Sequence, residues 1–312
     1  MIRILVTGGA GNVASALIAK LASDPDNEIV IADNLLTGDM RKVPQHLDNV
    51  KFIKCDVNNY EDISPLFFAY KFEYVFHYAA VVGVQRTLDN PIMVLNDIHG
   101  IENILNLSKS TGVKRVYYTS SSEVYGEPFE IPQNELTTPL NSRLPYAIVK
   151  NVGEAYLKSY HQEFGLNYLI FRFFNTYGPN QSDDFVVPRF LRQAMNNEDI
   201  TIYGDGSQTR TFCYVDDNVE ACMIAHTTGI IENDTINIGS DKEYSVKELA
   251  EAIINITQSD SKIIYLPPLK EGDMTRRQPD IAKMRKILNH DLVPLEVGVK
   301  KLIDHIKQSE GK

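Results

Sequence analysis

Cysteine is scarce in this chain, with Cys55, Cys213 and Cys222 in 312 residues. An odd number at wide spacing suits neither a disulfide framework nor a metal cluster. Three buried thiols in a reducing cytoplasm are expected instead. Histidine offers no ligand set either, because its residues are scattered. No metal is therefore expected, and His77 reads as a packed, hydrogen-bonded core residue. Long apolar runs are missing, so nothing approaches the roughly 20 residues of a membrane span. The first residues pass straight into a strand, Ile2 to Val6, without the pattern of a signal peptide. Basic blocks are missing too, and the net charge is −10, which argues against a general affinity for nucleic acid. A few local arginines can still hold an anionic ligand. No internal repeat, low-complexity tract or linker interrupts the chain. These absences predict a cytoplasmic globular protein, built as one large domain or two that share a core.

What is present is an alternation. Short β-branched runs at Ile2 to Val6, Glu28 to Ala32, Val50 to Ile53, Tyr74 to Phe76, Val113 to Tyr118 and Leu166 to Phe173 read as strands. Between them, Asn12 to Leu21, Pro91 to Ser110 and Pro145 to Phe164 read as helices, two of them with Pro at the start. This predicts an α/β fold, a Rossmann-like doubly wound parallel sheet with helices on both faces. Ligands then collect at the carboxyl ends of the strands. Beyond residue 175 the pattern loosens. Helices are expected at Phe185 to Met195, Asp216 to His226, Val246 to Ile256, Ile281 to Leu288 and Leu295 to Ile306. A strand is expected at Thr235 to Ile238. This part reads as a smaller C-terminal α/β substrate lobe over the ligand-facing edge of the sheet.

The chemistry begins at Thr7-Gly8-Gly9-Ala10-Gly11, between the first strand and the first helix. Glycines there let the backbone approach a pyrophosphate, and the helix N-terminus points its N–H groups at it. Ala14 takes the place of a third glycine. Asp33 follows the second strand, where an acid can bind both hydroxyls of an adenosine ribose. Its charge repels a 2′-phosphate, which favours NAD over NADP. Asp56 and Val57 follow the third strand and could hold the adenine. Ala79 and Ala80 follow the fourth and are small enough for a cofactor to pass over. Residues 1–175 therefore read as the NAD-binding domain, with 211–239 returning to it. Residues 176–210 and 240–312 make the substrate lobe.

Tyr146 and Lys150 stand one helical turn apart on one face. A cation beside a phenol favours the phenolate, which suits Tyr146 to act as a base on a sugar hydroxyl. Lys150 can also hold the nicotinamide ribose. Ser121 ends the fifth strand, placed to hydrogen-bond the oxygen that loses its proton.

In this order, the motifs resemble those of extended short-chain dehydrogenases/reductases, in the nucleotide-sugar epimerase/dehydratase/decarboxylase group. The resemblance covers nearly the whole chain. It rests on the glycine turn, Asp33-Asn34, Phe76-His77-Tyr78-Ala79-Ala80, Ser120 to Gly126, Tyr146 with Lys150, Phe174-Asn175-Thr176-Tyr177-Gly178-Pro179 and Tyr203 to Arg210. It implies that Asn12, Val13, Asn34, Gly38, Asn96 and Phe174 join Gly8, Gly11, Asp33, Asp56, Val57, Ala79, Ala80, Tyr146 and Lys150 around NAD. For a nucleotide-diphospho-sugar it implies Ser121, Ser122, Asn175, Val187 and Tyr203, with Arg210 and Arg277 clamping the phosphates by their paired donors. UDP is the expected nucleotide. In relatives the two long helices pair across a two-fold axis, so a homodimer is implied.

All members of the group first oxidise C4 of the sugar. The 4-keto sugar is then turned over by a 4-epimerase, dehydrated by a 4,6-dehydratase, or stripped of its C5 carboxylate by a decarboxylase. Glu123 argues for chemistry at C5, or for a substrate contact near it. Ser122 stands where dehydratases of the deoxythymidine type carry an acid. Ser121-Ser122-Glu123 and Arg276 to Ile281 resemble the decarboxylases that form UDP-xylose from UDP-glucuronate. Tyr146-Ala147-Ile148-Val149-Lys150 departs from their usual Tyr-Asp-Glu-Gly-Lys. Decarboxylation is the leading expectation, with Glu123 joining Tyr146, Lys150 and Ser121 in catalysis. Epimerisation, dehydration and a non-catalytic NAD-binding module are the alternatives.

Overall fold

The computed structural model describes residues 1–268 and 275–310. The chain runs β1 (Ile2–Thr7), α1 (Asn12–Leu21), β2 (Asn27–Asp33), β3 (Val50–Lys54), α2 (Tyr60–Tyr70) and β4 (Tyr74–His77). It continues through α3 (Val84–Asp89), α4 (Pro91–Leu95), α5 (Asp97–Thr111), β5 (Arg115–Ser121), α6 (Pro145–Phe164) and β6 (Asn167–Phe173). Next come β7 (Thr176–Tyr177), α7 (Val186–Met195), β8 (Ile200–Tyr203), β9 (Thr209–Thr211), β10 (Cys213–Tyr214) and α8 (Val215–Thr228). The last elements are β11 (Asp234–Ile238), β12 (Glu243–Ser245), α9 (Val246–Thr257), β13 (Ile263–Leu266), α10 (Ala282–Leu288) and α11 (Leu295–Glu310).

Seven strands form one parallel sheet in the order β11-β6-β5-β4-β1-β2-β3. Both faces are covered, so its strands are mostly apolar in their middles and successive residues feed opposite layers. Ile4, Ile31, Phe76, Tyr117 and Phe171 face the layer of α1, α7 and α8. Leu5, Val30, Val75, Val116 and Ile170 face that of α2, α5 and α6. On the first face the rings of Phe76 and Tyr117 stack at 4.2 Å, and Tyr117 and Phe171 at 6.1 Å, across three neighbouring strands. The strand order reverses between β1 and β4, and ligands bind open α/β sheets at that crevice.

The smaller pairings β10–β7, β12–β9 and β13–β8 build the lobe beyond β6. They are two to four residues long, too short for a periodic signal. α2 also has no counterpart among the expected elements, because Pro65 in its interior reads as a breaker. Asn59 caps it by accepting from the Glu61 N–H at 3.0 Å, and Ile63, Leu66 and Phe67 bury its inner face. The single helix expected from Pro91 to Ser110 is divided into α4 and α5 at Asn96. The three cysteines are buried and free. Among the described residues no helix is long and apolar enough to cross a membrane.

Candidate active site

One cleft of about 900 Å³ runs along the carboxyl ends of the strands. At one end the glycine turn closes against β4. Gly8 has φ +67°, and a Cβ there would lie 2.6 Å from the Ala79 nitrogen. No other residue fits that approach. Gly11 caps α1 in extended conformation, opening the helix N-terminus to the cleft. The Asp33 carboxylate accepts from the Ala10 N–H at 2.9 Å and the Leu35 N–H at 2.8 Å. A Cβ on Gly38 would lie 2.8 Å from Asp33 Oδ1. Backbone and carboxylate thus form a cradle that side chains would fill. The buried Asn12 Oδ1 has no hydrogen-bond partner among the described residues. This arrangement fits a dinucleotide: glycines for the pyrophosphate, an acid for the ribose and an open acceptor beside them. Val13, Asn34, Asp56, Val57, Ala79, Ala80 and Asn96 line the same end.

The reacting end is built on β5 and α6. Pro145 starts α6, so Tyr146 lies in its first turn and Lys150 in the next. Lys150 Nζ donates to the Thr119 carbonyl at 2.7 Å and stands 5.1 Å from the centre of the Tyr118 ring. Burial lowers its pKa to about 8, opposed by the Asp97 charge. Gly153 lets α6 lie this close to β5, since a Cβ there would sit 2.3 Å from Tyr118 Oη. Tyr146 corrects one expectation. Its hydroxyl titrates above its ordinary value, because of burial first and the Glu123 carboxylate second. The Ser121 hydrogen bond and the Arg277 cation oppose them. The Lys150 ammonium is bonded to the Thr119 carbonyl and lies 5.7 Å from the centre of the Tyr146 ring.

Ser121 caps the short turn 122–125, accepting from the Glu123 N–H at 3.2 Å. Glu123 Oε1 meets Arg277 Nη1 at 2.7 Å. Neither Glu123 Oε2 nor Arg277 Nε finds a hydrogen-bond partner among the described residues. Both residues line the cleft, as do Ser121, Ser122, Asn175, Val187 and Arg210. Two expected contacts fall outside the lining. Phe174 is fully buried against Tyr125, its N–H bonded to the Ile238 carbonyl, and Phe173 takes the place at the wall. Tyr203 lies on β8 with the Arg189 guanidinium 5.7 Å from its ring centre, away from the wall.

Sequence reasoning missed Asp97, Arg86 and Asp184. Asp97 opens α5 and accepts from the Val81 N–H at 2.7 Å. An acid in a first helical turn is too common to mark a cleft residue. Arg86 lines the cleft from α3 and Asp184 from the loop after β7, with Arg86 Nη2 3.5 Å from Asp184 Oδ2. His77 is buried, its Nδ1 2.8 Å from Thr7 Oγ1.

The model of the NAD dependent epimerase/dehydratase family matches residues 4–239. UDP-glucuronic acid decarboxylase 1 of Danio rerio is 35% identical over 98% of this chain and 73% of its own. The UDP-N-acetyl-alpha-D-glucosaminuronate decarboxylase of Bacillus cytotoxicus is 34% identical over 99% of both. The UDP-glucose 4-epimerase of Thermotoga maritima, solved with UDP-glucose, superposes with a TM-score of 0.93 at 31% identity, covering 99% of this chain and 100% of that one. With that cradle, that tyrosine–lysine helix and these matches, the chain belongs to the NAD-dependent epimerase/dehydratase family.

Proposed function

We propose that this enzyme decarboxylates UDP-glucuronate to a UDP-pentose of the UDP-xylose type, through a transient 4-keto sugar. The observation that carries the reading is the Glu123–Arg277 pair. Its charges reach the Tyr146 hydroxyl, so it stands at the reacting end of the cleft. Turning a sugar over at C4 needs no such charges, whereas chemistry at C5 does. When bound, NAD accepts the C4 hydride and later returns it. Tyr146 takes the proton from O4, Ser121 holds that oxygen, and Lys150 orients the ribose.

A ketone at C4 stands β to the C6 carboxylate. The C5–C6 bond can then break, its electron pair passing into a C4–C5 enolate as carbon dioxide leaves. Tyr146, now protonated, donates to the enolate oxygen. A proton from water is then added at C5, and O4 recovers its proton from Tyr146 when the hydride returns. Arg277 can hold the carboxylate before it leaves. Glu123 places a like charge beside it, relieved when neutral carbon dioxide forms. The two decarboxylases named above act on UDP-linked uronates by their names, which supports both the nucleotide and the sugar class.

A 4-epimerase is the second reading, favoured by the likeness to the Thermotoga maritima structure. Dehydration has less support, because the residue before Glu123 is Ser122, whose hydroxyl is too weak an acid to protonate a leaving group. Incubation with UDP-glucuronate, UDP-glucose and dTDP-glucose, followed by mass measurement, separates them. Loss of carbon dioxide from UDP-glucuronate is the expected result. Unchanged UDP-glucuronate with conversion of UDP-glucose to its C4 epimer establishes the second reading.

We further propose a cytoplasmic homodimer formed through α5 and α6. These helices pack side by side through Tyr160 Oη and Asn106 Oδ1 at 2.8 Å. Beside them Ile92, Leu95 and Ile148 stay exposed. Light scattering should give twice the chain mass of 35.2 kDa; a monomer at micromolar concentration ends this part of the proposal.

A further inference from the structure

Behind the cleft wall lies a second set of polar groups with no part in the chemistry above. Glu154 and Arg172 are 1% and 2% exposed. Glu154 stands two turns along α6 from Tyr146. Its carboxylate accepts from Arg172 Nε at 2.8 Å, Arg172 Nη2 at 2.7 Å and Ser120 Oγ at 2.6 Å. Arg172 Nη1 donates to Tyr125 Oη at 2.7 Å, and that hydroxyl donates to Asn237 Oδ1 at 2.8 Å. Asn237 Nδ2 donates to the Gln133 carbonyl at 2.9 Å and the Asp280 carbonyl at 3.2 Å. The Gln133 N–H bonds the Gln278 carbonyl at 2.7 Å, directly beside Arg277. The chain of bonds thus leads from the helix of the tyrosine to the segment of the arginine.

A buried ion pair is no default for a core. Apolar residues of the same volume are often as stable or more so. This pair is saturated and bidentate, which fixes direction as well as distance. What it fixes is the stretch from Ser120 to Tyr125. Ser120 is tied at one end and Tyr125 at the other, while Ser121, Ser122 and Glu123 between them line the cleft. Ser120 lines the cleft as well, and neighbouring strand residues point to opposite sides, so holding the Ser120 hydroxyl on Glu154 turns Ser121 to the other side.

We propose that Glu154, Arg172 and Tyr125 are positioning residues that aim Ser121 and Glu123 at the substrate. The part concerning Glu123 rests on the decarboxylase reading. Tyr125→Phe is the sharpest variant. It keeps the ring against Phe174 and the Arg172 guanidinium, at 6.0 and 4.8 Å, and removes only the hydroxyl. Ser120→Ala loosens the other end and serves as the second variant.

The experiment is single turnover of the NAD-loaded enzyme with UDP-glucuronate, following reduced nicotinamide by absorbance and carbon dioxide by release. Both variants should lower kcat about tenfold while KM stays within about twofold. In Tyr125→Phe, hydride transfer should keep near its native rate while carbon dioxide lags, so reduced cofactor accumulates. Native kcat in both variants overturns the proposal. So does a loss in which hydride transfer, carbon dioxide release and melting temperature fall together, since that marks a structural role alone. If the native enzyme releases no carbon dioxide, the decarboxylase reading fails by itself. The frame is then judged on whichever sugar nucleotide the native enzyme converts, where an unchanged kcat in both variants overturns it.

Discussion

Tyr146→Phe is expected to slow turnover by about 10²- to 10⁴-fold, the range of a lost general base, with NAD still bound. The ring would keep its place in the first turn of α6, because Pro145 sets that turn and Lys150 is anchored independently on the Thr119 carbonyl. The cofactor cradle is made by the glycine turn, Asp33 and Gly38, none of which touches the phenol oxygen. Only the proton acceptor disappears. Burial and Glu123 hold the Tyr146 proton on the protein by itself, so the base form depends on the positive charges gathered beside it. Arg277 is one of those charges, while Lys150 has to be charged to hold the nicotinamide ribose. Its pKa of about 8 keeps it mostly cationic at neutral pH. Above about 8 it loses its proton, and turnover should fall on that side. Steady-state rates and NAD titration of the variant check the first expectation, and the alkaline limb of the native profile checks the second. Native turnover in Tyr146→Phe would remove this residue as the base.

Arg172→Leu is expected to destabilise the fold by about 3–5 kcal/mol, the usual effect of leaving one charge of a buried pair alone. Glu154 would remain at 1% exposure with Ser120 as its close donor and, among the described residues, no other buried cation in an ion pair with it. Lys158 reaches Glu154 Oε2 only at 3.8 Å from the surface, too far to replace a bidentate fork. Replacing both partners, as Arg172→Leu with Glu154→Met, should recover most of the loss, since no uncompensated charge remains. Reversible denaturant unfolding of the single and double variants measures the difference. Equal stability of the two would show that the pair contributes nothing through its charges.

The main strands and most helices were legible because their signals are local. Val6 and Phe76 sit in short apolar runs that repeat at the spacing of a doubly wound sheet. Tyr146, Lys150, Ser121 and the glycine turn were legible because each motif occupies a single strand–turn–helix segment. α2 was hidden by Pro65, and Asn96 divided a helix whose sequence reads as continuous. Asp97 and Arg86 carry no mark that separates a cleft residue from a helix end. Phe174 packs on Tyr125 and Tyr203 lies beside the Arg189 guanidinium, placements set by contacts between segments distant in sequence.

By itself, then, the order of residues settled the architecture, the NAD family and the dinucleotide cradle, all of which depend on spacing within short stretches. The folded molecule decided that Arg277 meets Glu123, that Lys150 binds the Thr119 carbonyl, and that burial and Glu123 hold the tyrosine proton more tightly than water does. Those outcomes depend on contacts between distant segments and on removal from solvent, and neither is a property of the chain until it is folded.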